Sequence, residues 1–121
     1  MKFKISVTGY FSAAHNLRGY KGKCEELHGH NFKVKLIIAS SKLDKLGMVA
    51  DFHIVKTELK ITLNELDHKY LNNMPYFKSV NPTSENIARF IFKKLKVKFS
   101  GQKLLEVIVW ETETNEASYQ E

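Results

Sequence analysis

With 121 residues, 43% of them apolar and 26% charged, the chain has the composition of a single globular domain and no room for a second. No apolar run approaches the roughly 20 residues that a membrane helix needs, and a lone cysteine, Cys24, excludes an intramolecular disulfide. The net charge of +6 suits a nucleic acid or a small polyanion equally; the lysines are scattered and dense only around Lys93–Lys98, so charge alone does not choose.

The opening residues alternate polar and apolar side chains and hold no apolar block of the secretory kind, so a reducing, cytoplasmic setting is expected. Phe3, Ile5 and Val7 follow the period of a half-buried strand. Gly9 is expected to mark a bulge, beyond which Phe11, Ala13 and His15 continue one face. The stretch from Asn16 to Glu26 is polar, holds Gly19 and Gly22, and reads as a loop. A second strand runs from about His28 to Ala39, with His28, His30, Phe32, Val34 and Leu36 on one face.

A turn around Asp44–Gly47 precedes a helix over His53–Leu66, whose Val55, Leu59, Leu63 and Leu66 fit a 3.6-residue period. Asp51 and Phe52 are expected to fix a turn and fill the core. Asn81-Pro82-Thr83 opens a second helix, with Thr83 as N-cap, Glu85 in the first turn and Ile87, Ile91 and Leu95 as the buried stripe. Phe90 and Phe92 read as helix packing. Leu104–Glu111 is a β-rich run and Ala117–Gln120 a short last strand, which together give an α+β domain over residues 1–121 with an antiparallel sheet. In Leu104–Trp110 apolar residues occur at both parities, so both sheet faces are expected to be covered. Two helices cover one, and oligomerisation is the simplest cover for the other.

Zinc sites need nitrogen or sulfur ligands converging at about 2.0–2.3 Å. His28 and His30, two apart on a strand, point to the same face, and His15 closes the neighbouring strand. Three histidines leave a fourth zinc position free for water or substrate, as catalytic sites do. Read alone, a His-x-His pair is more often an ordinary surface or turn feature. Cys24 is either a fourth ligand that closes the site or, as favoured here, a chemical group beside the metal. Asp67-His68 alone reads as a helix end, and Glu111 as an exposed strand end.

The pieces Phe11-Ser12-Ala13-Ala14-His15, Cys24-Glu25-Glu26-Leu27-His28-Gly29-His30, Met48-Val49-Ala50-Asp51-Phe52, Leu66-Asp67-His68, Pro82-Thr83-Ser84-Glu85-Asn86 and Trp110-Glu111-Thr112 carry a resemblance. Taken in order across nearly the full length, they resemble the 6-pyruvoyltetrahydropterin synthase family, which includes the bacterial 6-carboxytetrahydropterin synthases of queuosine biosynthesis. The resemblance implies a tunnelling fold: a four-stranded antiparallel sheet with two helices on one face. Subunits would join their sheets into a trimeric barrel, and two trimers would stack. It implies Zn2+ held by His15, His28 and His30, with Cys24 as acid/base and Asp67 and His68 as a catalytic pair. Glu111 would anchor the pterin ring, Thr112 would assist, and the substrate would be 7,8-dihydroneopterin triphosphate.

Family members differ in product: 6-pyruvoyl, 6-carboxy with release of acetaldehyde and triphosphate, or 6-hydroxymethyl pterin. The last group resembles a Glu-x-x-His-Gly-His pattern, which Glu25 and His28 reproduce here. The retained Cys24 and short chain rank the 6-carboxy product first. Two readings from other classes remain: a non-catalytic zinc or pterin-binding protein, and a basic nucleic-acid-binding domain. No nucleic-acid-reading signature supports the second. The working expectation is an enzyme with neither nucleic acid nor membrane as partner.

Overall fold

The computed structural model describes residues 1–121. Alternation of apolar and polar residues produces two 13-residue strands, β1 (Phe3–His15) and β2 (His28–Ser40). They pair antiparallel without interruption from Phe3↔Ser40 to His15↔His28. The expected bulge at Gly9 is therefore absent. Glycine is needed there for another reason: a Cβ would come 2.9 Å from Leu63 Cδ1 and 3.0 Å from Leu59 Cδ2. Helix packing, not strand irregularity, selects the residue.

Those leucines belong to α1 (Phe52–Asn64), which begins one residue earlier than expected and ends before Leu66. Asp51 is its N-cap, its side chain accepting from the His53 N–H at 2.8 Å. Phe52 does not fill the core. As the first helical residue it is 53% exposed, beside Phe3, Leu43 and Met48 in a surface groove. In α2 (Ser84–Leu95) Thr83 is the N-cap as expected, accepting from Asn86 N–H at 3.1 Å. Ile87, Ile91 and Leu95 are buried together with Phe90 and Phe92.

Between the helices the chain makes the two-residue strand β3 (Lys69–Tyr70), parallel to β1 at Ala13 and Ala14, followed by two short 3₁₀ turns. The last strands are β4 (Lys103–Thr112) and β5 (Asn115–Gln120). The sheet order is β3-β1-β2-β4-β5, so the four long strands are all antiparallel and β3 is a small addition at one edge. Helix α1 packs on β1 and α2 on β4 and β5, both on the same face.

A register shift between β2 and β4 leaves Leu105 unpaired and brings Leu104 onto the same face as Val107 and Val109, all three buried. Within one chain only the helix side is sealed. Ile108 and Trp110 stay half-buried on the other side, where the Lys33 ammonium sits 5.0 Å from the Trp110 ring. No helix is long and apolar enough to cross a membrane.

Candidate metal centre

His15, His28 and His30 converge because sheet register demands it: His15 pairs with His28 and Ala13 with His30, at one end of the helix-covered face. One ring nitrogen from each lies within 4.8 Å of the others, close enough for one ion to bridge all three. The rings meet edge to face at centroid distances of 4.5–5.3 Å. Phe32, itself fully buried and stacked on Phe11, contacts the His15 and His30 rings edge-on and forms an apolar floor.

Ring orientation comes from main-chain carbonyls. His15 Nδ1–H donates to Pro82 O at 2.7 Å, and His28 Nδ1–H donates to Glu26 O at 2.7 Å. A carbonyl only accepts, so Nδ1 carries a proton in both rings, and the neutral form of each ring presents its Nε2 lone pair. His15 Nε2 and His30 Nε2 are buried with no hydrogen-bond partner. Burial, opposed by the nearby Glu111 carboxylate, holds both imidazoles below the usual histidine value and hence neutral. Neutral, orphaned imidazole nitrogens aimed at a common point suit a divalent ion of the zinc class. The donor set fits such an ion.

Glu111, on β4, reaches this end with Oε1 3.3 Å from His30 Nε2 and Oε2 3.6 Å from His15 Nε2. Neither approach has hydrogen-bond alignment. Thr112 lies outside this cluster. Its side chain borders a groove with Tyr10, Asn31, Lys33 and Trp110, and its hydroxyl is 3.4 Å from that of Thr114. Cys24 is half-buried and Glu25 exposed in the 3₁₀ turn Lys23–Glu25, tied to the segment just after β1 by Leu17 N–H donating to Cys24 O at 2.7 Å. The imidazole cluster forms without Cys24.

Asp67 and His68 stand just beyond α1. His68 Nδ1 is 2.9 Å from Asp67 Oδ2, and Asp67 Oδ1 accepts from Ser12 N–H at 2.9 Å. These donors, Ser12 first, hold the Asp67 carboxyl below the usual range. His68 is 83% exposed in its side chain and has φ +57°, in the left-handed region rarely adopted outside glycine. Its N–H donates to Ser12 O at 2.6 Å, which helps fix that turn against β1. The ring borders a shallow groove of about 500 Å³ shared with Ser12, Gly29, His30, Asn31 and Tyr70. Of the three clustered histidines, His30 thus borders the same groove as His68.

Two amides that the sequence reading gave no role also organise this region: Asn72 clasps the main chain of Asn16 and Asn81 that of Arg18, far away in sequence, and asparagines in loops carry no periodic signal that would have revealed it.

The pattern of the 6-pyruvoyl tetrahydropterin synthase family matches residues 4–121. The 6-carboxy-5,6,7,8-tetrahydropterin synthase of Synechocystis is 43% identical over 114 residues, covering 90% of this chain and 86% of that protein. The enzyme of the same name from Haemophilus influenzae is 35% identical, covering 98% of this chain and 99% of that one. Among solved structures, the Caenorhabditis elegans 6-pyruvoyl tetrahydropterin synthase superposes with a TM-score of 0.88 at 32% identity, covering 98% of this chain and 95% of that one. On sequence and on fold together, this chain belongs to the 6-pyruvoyl tetrahydropterin synthase family.

Proposed function

We propose that the chain is a zinc-dependent 6-carboxy-5,6,7,8-tetrahydropterin synthase, a lyase converting 7,8-dihydroneopterin triphosphate to 6-carboxytetrahydropterin, acetaldehyde and triphosphate. The observation that carries this reading is the convergence of His15, His28 and His30 on one point beside the Glu111 carboxylate. The shared name of the Synechocystis and Haemophilus relatives supports the 6-carboxy product over the 6-pyruvoyl and 6-hydroxymethyl alternatives.

The three imidazoles would hold the ion through their unprotonated nitrogens. Bound there, zinc supplies Lewis acidity that favours proton loss from substrate hydroxyls. Glu111 pairs with the amino-pyrimidine edge of the pterin through two parallel hydrogen bonds, which sets the ring beside the histidine cluster. Cys24 takes up a side-chain proton. His68, oriented by Asp67, moves the second, a contribution typically worth ~10²–10⁴ in rate. Thr112 assists binding through its hydroxyl or main chain, and Glu25 is the candidate acid/base for the hydroxymethyl branch.

The polyanionic substrate suits a chain of net charge +6. The active assembly in this reading is a cytoplasmic homo-oligomer, a trimer or a dimer of trimers. Two free sheet edges support it: β5 pairs only with β4, and β1 ahead of Ala13 pairs only with β2.

Purified protein incubated with 7,8-dihydroneopterin triphosphate, with every pterin resolved by mass, tests the reading. A 6-carboxy product is expected, with Cys24→Ala losing most turnover and keeping the metal. Stoichiometric metal with no substrate consumed would replace the enzyme by a binding protein. Loss of metal in Cys24→Ala would make the cysteine a ligand.

A further inference from the structure

The His15–Pro82 hydrogen bond joins residues 67 positions apart, and a separate asparagine clamps each of its ends. On the His15 side, Asn72 Oδ1 accepts from Asn16 N–H at 3.0 Å while Asn72 Nδ2 donates to Asn16 O at 2.9 Å. The amide thereby grips both main-chain groups of the residue that follows the ligand. Asn72 is 5% exposed, one of few buried polar residues in the fold. On the Pro82 side, Asn81 does the same to Arg18: Oδ1 accepts from Arg18 N–H at 2.9 Å and Nδ2 donates to Arg18 O at 2.9 Å. Asn81 directly precedes Pro82, and its own carbonyl accepts from Asn86 Nδ2 at 2.9 Å. The Arg18 guanidinium then donates to Phe77 O and Val80 O, closing the 16–18 loop onto the 77–81 segment.

From this geometry we infer that Asn72 and Asn81 are positioning residues for the metal ligand His15, fixing the two ends of the hydrogen bond that aims its Nε2. The inference rests on the proposed metal centre. An imidazole on the last residue of a strand has ring freedom that strand register alone does not remove; the Pro82 carbonyl removes it only if that carbonyl and the His15 main chain are held in mutual register. Asn72 and Asn81 hold them. His28, by contrast, bonds a carbonyl two residues away and needs no such bridge. Partners that orient a liganding histidine typically change metal affinity 10–100-fold when removed.

The test titrates zinc and, separately, Co(II) into Asn72→Ala, Asn81→Ala and wild-type full-length protein, alongside Leu104→Ala. Leu104 is buried and pairs with Ile38, ten residues along β2 from His28 and thus about 33 Å away at 3.3 Å per residue. It reports the effect of destabilisation alone. Asn81 is only half-buried, so its variant is expected to fold even if Asn72→Ala does not. Expected are an affinity about 10-fold or more below wild type and an altered Co(II) ligand-field spectrum for the asparagine variants, with both unchanged for Leu104→Ala. Wild-type affinity and a superimposable Co(II) spectrum in Asn81→Ala would overturn the inference while leaving the metal centre standing. Failure of the wild-type protein to bind either ion would overturn the metal centre and this inference with it.

Discussion

Replacing His30 by leucine should separate what the imidazole does for the fold from what it does for the metal. His30 Nε2 is buried and has no hydrogen-bond partner, and an unsatisfied buried polar group costs about 1–3 kcal/mol. Leucine removes that group at similar volume against Phe32 and the His15 ring. In chelator near about pH 7.5, above the ordinary histidine value of about 6.5, the variant is therefore expected to be at least as stable as the parent. With zinc at about 100 times its dissociation constant the parent gains about 2.7 kcal/mol. For a chain of this length that raises Tm by about 11 °C, taking about 4 °C per kcal/mol. The variant, with two imidazoles left, should gain far less, so the order of stability reverses between chelator and zinc. Scanning calorimetry of both proteins in both conditions reads this directly. A variant that melts well below the parent in chelator would show that the imidazole serves the fold, and an equal zinc shift in both would remove His30 from the metal centre.

Glu111→Gln should retain zinc and lower kcat/KM about 10–200-fold, the equivalent of the about 1.5–3 kcal/mol carried by a hydrogen bond to a charged group; steady-state kinetics with metal analysis checks it, and unchanged kinetics would free Glu111 from the pterin. Gly9→Ala drives a Cβ to 2.9 Å from Leu63 and should destabilise by about 1–3 kcal/mol, seen as a lower urea midpoint with unchanged slope. Glu121 receives the ammonium groups of Lys93 and Lys96 and the Tyr119 hydroxyl, which depress its carboxyl to about 2. A depressed carboxyl stabilises the fold above its unfolded value, and that contribution fades as pH falls toward about 2. Glu121→Gln should accordingly flatten the acid limb of the stability profile and leave the slope near neutrality alone; an unaltered acid limb would contradict the ion-pair assignment.

What the sequence made legible follows from period and register. Phe3 to His15 and His28 to Leu36 each announce a face by alternation, so antiparallel pairing could bring the histidines together, and the register His15↔His28 is what does so. Thr83 declared its helix because a cap has a fixed offset from the N–H groups it serves. Gly9 misled because a missing side chain signals equally a bulge or a close neighbour, and only the approach of α1 decides between them. Phe52 misled because apolar character says nothing about where the first turn of a helix overhangs the sheet. Leu105 hid a register shift, since an apolar run with both parities filled carries no phase. Cys24, Asp67 and His68 occupy turns, so their place came from family resemblance and not from any periodicity.

The same division explains how the candidate site is built. The groups that must converge within a few tenths of an ångström to bind an ion, His15, His28 and His30, sit on the two longest strands, where thirteen paired positions suppress backbone freedom. Glu111 arrives on β4, one residue beyond its last pair with β2, Lys33↔Trp110. Strand geometry fixes a Cα position but leaves a ring free to rotate, and each further constraint is a hydrogen bond to a carbonyl: Glu26 for His28 and Pro82 for His15. Groups assigned to proton transfer need reach more than rigidity, and they occupy the 3₁₀ turn at Cys24 and the left-handed turn at His68. The Ser12 main chain, bonded to both Asp67 and His68, is what keeps that second turn in register with the strand ending at His15. A fold that loosened β1 at Ser12 would therefore disturb metal and proton-transfer groups together, although the two lie on different elements.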